Sequence, residues 1–348
     1  MMLRATMIAL GVAALLAGTG ATAAEAAKAV SPTTSPGGST ANVGFPTTGW
    51  RTNFRKHSVP LSEITSGGPG KDGIPALDHP GFLPVAKTTF LRPQEPVISL
   101  VVRGDARAYP LQILIWHEIV NDRVGGIPVT VTFCPLCNTS IVFDRRLRGR
   151  VLDFGTSGNL RNSDLVMYDR QTESWWQQFG GKAIVGDLTG ATLRQLPAQI
   201  LSWREFQRQH PAGKVLSRDT GFARSYGSNP YTGYDDVKTP PFFPAANTND
   251  KRLQPKERVV FIERGKDAVV VPFSVLAKRN PIRVTVGGHK LVVSYRKGVS
   301  SALDSANISA GRDTGSAQVF ENGKLVPFDE PFWFSVAAFR PHVTIVKA

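Results

Sequence analysis

Two cysteines, Cys134 and Cys137, are all that this 348-residue chain contains. So few exclude a disulfide-braced framework, and the length makes one unnecessary, because roughly 300 residues bury a core without cross-links. Long apolar runs are also lacking. The only one near the N-terminus, Met7 to Ala17, is too short to span a bilayer, and no later stretch reaches about 18 apolar residues. Preceded by Arg4 and followed by the small residues Ala21 and Ala23, it reads as a secretory signal peptide over residues 1–24, so the expected destination is the periplasm or the medium, with no transmembrane segment left after cleavage. Acidic residues are in deficit, giving a net charge of +14, yet the Lys and Arg are dispersed. Only Arg145, Arg146, Arg148 and Arg150 approach a cluster, which argues for a solvated basic surface and against a nucleic-acid partner.

Several catalytic signatures are missing too. His117-Glu118 opens a zinc-protease motif, but asparagine stands at 121 where the second histidine belongs. There is no G-x-S-x-G elbow, and Gly67 to Lys71 fails the phosphate-loop pattern. A dinucleotide fingerprint is absent as well, so no nucleotide cofactor is expected.

Residues 25–49 are Ala, Ser, Thr, Pro and Gly with few large apolar side chains, the composition of a flexible linker. The remainder divides on this reading into a main domain, 50–245, and a C-terminal β-rich unit, 246–348. An apolar run from Val97 to Val102, a turn at Arg103-Gly104-Asp105, and Ala108-Tyr109-Pro110 predict two strands, followed by a helix from Leu111 to Val120. Gly125-Gly126 then breaks the chain before a β-branched strand, Ile127 to Phe133. The order recurs from Val259 through Pro272 and Gly287-Gly288 to Tyr295, and the Pro to second-Gly spacing is 16 positions in both segments. These features predict an α+β, β-dominated fold of many short strands and a few helices, with an internal repeat of a strand-turn-strand-helix-strand unit. Further short strands are expected at 151–155, 165–168 and 182–185, and a short helix at Trp203 to Gln209.

Cys134-Pro135-Leu136-Cys137 admits three readings. As a metal knuckle it presents two thiolates to a soft ion, copper or zinc. As a redox pair it would want its first thiol at a helix N-terminus, whereas Ser140 to Phe143 reads as a strand. As a simple disulfide it would only brace a turn in an oxidising compartment. His117, on the expected helix leading to the cysteine strand, favours the metal reading, with Cys134, Cys137 and His117 as ligands. Glu118, Asn121 and Asp122 share that helix, and Glu118 or Asp169 could supply a further ligand or support one. A second polar group, with Arg161, Asn162, Asp164, Asp169 and Trp176, could line a pocket, although turn residues bonding their own backbone explain most of it equally well.

The runs WHEIVNDRVGG (116–126), FCPLCNTSIVFDR (133–145), SGNLRNSDLVMYDRQTESWWQQ (157–178) and SNPYTGYD (228–235) together resemble domain-of-unknown-function family 3179. The resemblance covers roughly Asp72 to Asp235 and implies an exported bacterial or archaeal protein without an established activity. In the family's usual turn a glycine stands where this chain has Asn138, a residue that tolerates the left-handed backbone. The functional expectation is therefore an exported soft-metal-binding protein. A periplasmic thiol-disulfide oxidoreductase and a non-enzymatic ligand-binding module are the alternatives, and neither an enzymatic reaction nor a partner is specified.

Overall fold

The computed structural model describes residues 44–347. The expected signal peptide and most of the linker lie outside them. Phe45 is buried against Phe54 and Trp175, so the packed chain begins ahead of the expected linker end at 49.

The fold differs from the expected α+β arrangement: 40% of the chain is strand and 11% helix, and the sheets form a five-blade β-propeller. The first blade orders Ile64–Ser66, Phe154–Arg161, Asp164–Asp169, Trp175–Gln177 and Lys182–Val185. The second orders Arg194–Leu196, Thr139–Asp144, Ile127–Cys134 and Ile119–Val124. The third contains Ala198–Ser202, Pro96–Val102, Asp105–Pro110, Lys214–Leu216 and Phe82–Pro84. The fourth has Val259–Arg264, Asp267–Pro272 and Thr344–Ile345, and the fifth Ile282–Val286, His289–Arg296, Ser316–Glu321 and Lys324–Leu325.

This arrangement replaces the strand-turn-strand-helix-strand repeat. The hairpin 96–110 belongs to the third blade, whereas the strands after the helix, Ile119–Val124 and Ile127–Cys134, belong to the second. The segment 259–296 is likewise divided between the fourth and fifth blades. What looked like one unit is a connection between two, and the packing unit is the blade.

The helix is also shorter than its apolar spacing predicts. It spans Leu111–His117, and Glu118 then takes a positive φ of 57°, turning the chain into the strand Ile119–Val124. Asn121 and Asp122 are therefore strand residues and do not share a helix with His117, contrary to what the spacing predicts. Gly125 and Gly126 both have positive φ and close the following hairpin, where a Cβ on Gly125 would collide with the Val102 carbonyl. The strand Ile127–Cys134 is buried along its whole length, as a strand covered on both faces must be, which suits its run of Val, Ile, Thr and Phe. One large apolar core gathers residues from Ala76 to Phe334 and includes both cysteines.

Candidate metal centre

The cysteines sit at the tip of a β-hairpin. Cys134 ends one strand and pairs with Thr139, the first residue of the next, leaving Pro135 to Asn138 as a four-residue loop. Asn138 closes it with φ 57°, the conformation that the glycine usual in the family would also adopt. The loop is tied down from outside: Tyr234 donates its hydroxyl to the Leu136 carbonyl at 2.8 Å, the Asn138 amide donates to the Glu330 carbonyl at 2.8 Å, and the Phe332 N–H donates to the Cys137 carbonyl at 2.9 Å. Anchors from residues 234, 330 and 332 fix a turn at 134–138 because it has no room to relax in a packed core.

Both thiols are free and buried. Their third neighbour is Asp164, which opens a strand of the first blade. The two sulfurs and an Asp164 carboxylate oxygen all lie within 4.8 Å of one another. The Cys137 thiol donates to Asp164 Oδ1 at 2.9 Å, while Oδ2 accepts from the Phe179 N–H at 2.9 Å and from the Gln177 amide. Thr139 Oγ1 is 2.9 Å from the Cys137 sulfur and donates to Gln178 Oε1 at 2.6 Å, and Gln178 in turn donates to Thr132. Among the described residues no basic side chain hydrogen-bonds to either sulfur or to Asp164.

Electrostatics follow from that burial. Loss of water pushes the Cys134 thiol above its ordinary value and the Cys137 thiol well above it; Asp164 adds to both rises, and Cys134 adds to that of Cys137 while hydrogen bonds with Cys137 partly offset that of Cys134. Asp164 is raised to about 6 by burial, against hydrogen bonds that favour its anion. Glu118, also buried and repelled by Asp164, is raised to about 8. Four acidic groups thus crowd one region; at neutral pH Asp164 is largely ionised, while Glu118 and the two thiols hold their protons unless another cation replaces them.

His117 is not among them. Its Nδ1 lies 2.7 Å from the Pro75 carbonyl and its Nε2 2.6 Å from the Tyr226 hydroxyl, so both ring nitrogens are engaged and the ligand-distance cluster omits it. Burial lowers its pKa to about 4, keeping it neutral. Asp164 occupies the place expected of His117. Glu118 borders a cleft beside Leu136. The other singled-out residues serve the scaffold. Asn121 bonds Asp78 and both backbone groups of Phe154; Asp122 receives Arg107 and the Tyr109 hydroxyl. Arg161 pairs with Glu63, Asn162 accepts from the Ala246 N–H, and Asp169 caps its own turn through Thr172 and holds the Trp176 indole at 2.9 Å. Sequence reasoning missed Thr139 and Gln178. Their signal was polar residues at buried positions, Thr139 opening the strand directly after the cysteine turn and Gln178 starting the turn that follows the strand Trp175–Gln177.

A β-propeller with a buried thiol–carboxylate cluster at a hairpin tip is thus the class of protein defined by fold and site. The family model for the protein of unknown function DUF3179 matches residues 71–343, and the chain belongs to that family. No curated protein and no solved structure matches it significantly. No helix among the described residues is long and apolar enough to cross a membrane.

Proposed function

We propose that this protein binds a soft metal ion through Cys134, Cys137 and Asp164, and that, given its signal-like N-terminus, it does so in the periplasm or outside the cell. The observation that carries the reading is the approach of two thiols and a carboxylate to within 4.8 Å at the tip of a rigid hairpin. Zinc bonds of about 2.3 Å to sulfur and about 2.0 Å to oxygen place the donors roughly 3.5–3.8 Å apart, within the 4.8 Å that bounds the cluster. The 2.9 Å contact between Cys137 and Asp164 would open slightly as the thiol proton leaves. The donors also suit the electrostatics. A divalent cation discharges acids that have no basic partner at hydrogen-bond distance, and its binding releases their protons. With a carboxylate as third donor the set favours zinc over copper(I), which prefers thiolate alone.

Elemental mass spectrometry of the full chain, with free thiols counted before and after chelation, tests this. About one zinc per chain is expected, with both thiols protected until the metal is removed, and loss of the metal in Cys137→Ser and Asp164→Asn. Failure to take up zinc or copper with both thiols reduced would reject the reading.

A thiol-disulfide oxidoreductase is the second reading, favoured by the 2.9 Å contact from the Cys137 thiol to Asp164, a buried carboxylate able to accept its proton. Against it stand two buried sulfurs, raised thiol pKa values and a strand where a helix N-terminus would activate the attacking thiol. Rapid exchange with glutathione buffers at a mildly oxidising potential would favour it over metal binding.

A further inference from the structure

Beside the cysteine hairpin lies a cleft walled by Ile74, Leu136, Leu165, Tyr231, Phe242 and Phe243, with Glu118 at its inner side. Its inner volume of about 50 Å³ accommodates a molecule of a few non-hydrogen atoms. The Phe242 side chain is half-exposed where the cleft meets solvent. Glu118 is the only carboxylate in the lining, which contains no Lys, Arg or His. Although Glu118 is only 7% exposed, no group among the described residues hydrogen-bonds its carboxyl. A buried polar group without a partner is costly, and such a group facing an apolar cleft marks where a ligand's polar end belongs.

We propose that this cleft binds a small organic cation, an alkylammonium whose nitrogen meets the Glu118 carboxylate while its short alkyl part lies against Leu136, Leu165 and the rings of Tyr231, Phe242 and Phe243. Charge selects this chemistry. In the cleft alone, burial raises Glu118 to about 8 and keeps it protonated near neutral pH; an ammonium nitrogen beside it favours the ionised form and sends the proton to solvent, whereas the lining offers no base to an anion. Aromatic faces add cation–π attraction, which strengthens as water is excluded. A neutral molecule of the same shape gains the apolar contacts and at most a neutral hydrogen bond to the Glu118 carboxyl, without the ion pair. The proposal stands apart from the metal reading, because none of Cys134, Cys137 or Asp164 lines the cleft.

Calorimetric titration of the full chain at constant ionic strength with propylammonium, propanol and propionate tests it. Saturable one-to-one binding of propylammonium is expected, with propanol at least tenfold weaker and propionate not binding. Glu118→Gln should weaken propylammonium at least tenfold. Should that variant fail to melt cooperatively, Phe242→Ala, which trims an exposed ring, should still weaken binding threefold or more. Absence of saturable propylammonium binding, equal binding of propanol, or unchanged affinity in the folded variants would overturn the proposal. Repeating the titration after chelation separates the two readings: binding that persists in metal-free protein supports the cleft whatever the fate of the metal centre, and binding that requires zinc overturns it.

Discussion

The Cys137 sulfur lies 2.9 Å from Oδ1 of Asp164, a residue on a different blade. The hairpin supplies the thiols and the first blade supplies the carboxylate, so the distance between blades sets the geometry of the cluster. His117, much nearer to the cysteine strand in sequence, is spent elsewhere.

Replacement of His117 by alanine should leave metal stoichiometry unchanged and lower stability. The ring bridges the Pro75 carbonyl and the Tyr226 hydroxyl. Its removal orphans both and opens a cavity, a loss of about 2–4 kcal/mol. Denaturant melts paired with elemental analysis check this, and loss of metal from a variant that still folds would return His117 to the ligand set.

At Asn138 two demands coincide, a left-handed backbone and an amide bonded to the Glu330 carbonyl. Asn138→Gly keeps the first and loses the second, at a cost of about 1 kcal/mol; Asn138→Ala loses both, for about 2–3 kcal/mol. That order, alanine worse than glycine, is what chemical denaturation should return.

Stability should fall between pH 6.5 and pH 8 in metal-free protein. Burial raises Asp329 to about 7 and Glu330 to about 8, so over this interval the folded chain gives up protons that the unfolded chain has already lost. Stability present at the lower pH therefore drains away as pH rises. His117, lowered to about 4, acts in the opposite sense but only below about 6.5, and Glu205, lowered to about 2 chiefly by its Arg208 partner, acts only in acid. Melting temperatures at the two pH values check the sign, and Glu330→Gln should flatten the slope. A higher melting temperature at pH 8 would contradict it.

Local patterns reveal much of this molecule. The hairpin 96–110, the Gly125-Gly126 turn, the cysteine-bearing strand and the helix Trp203–Gln209 form where spacing and turn chemistry place them. Blade membership has no local signature, because Arg194–Leu196 completes a sheet begun some 70 residues earlier in the chain. The helix end was misread because Ile119 continues the helical spacing of Leu111 and Ile115, while the reversal at Glu118 is a backbone event with no apolar pattern. That same reversal explains the histidine. Glu118 accepts the Phe133 N–H through its carbonyl, so the helix end does adjoin the cysteine strand, but the His117 ring points to Pro75 and Tyr226. The cysteine pair was evident from its isolation; Asp164 was visible only as one polar residue among several.

The interleaving of the first three blades has a bearing on synthesis. Ile64–Ser66 waits for Phe154–Arg161, the strands 119–144 wait for Arg194–Leu196, and Phe82–Pro84 waits for Lys214–Leu216. A chain emerging N-terminus first can finish none of these sheets until residues near 185, 196 and 216 have followed. The early strands stay unsatisfied at their edges meanwhile, and such distant pairings close slowly. A ribosome paused before Lys182 would therefore hold a nascent chain with three unfinished sheets, the stage at which a holding chaperone has most to protect.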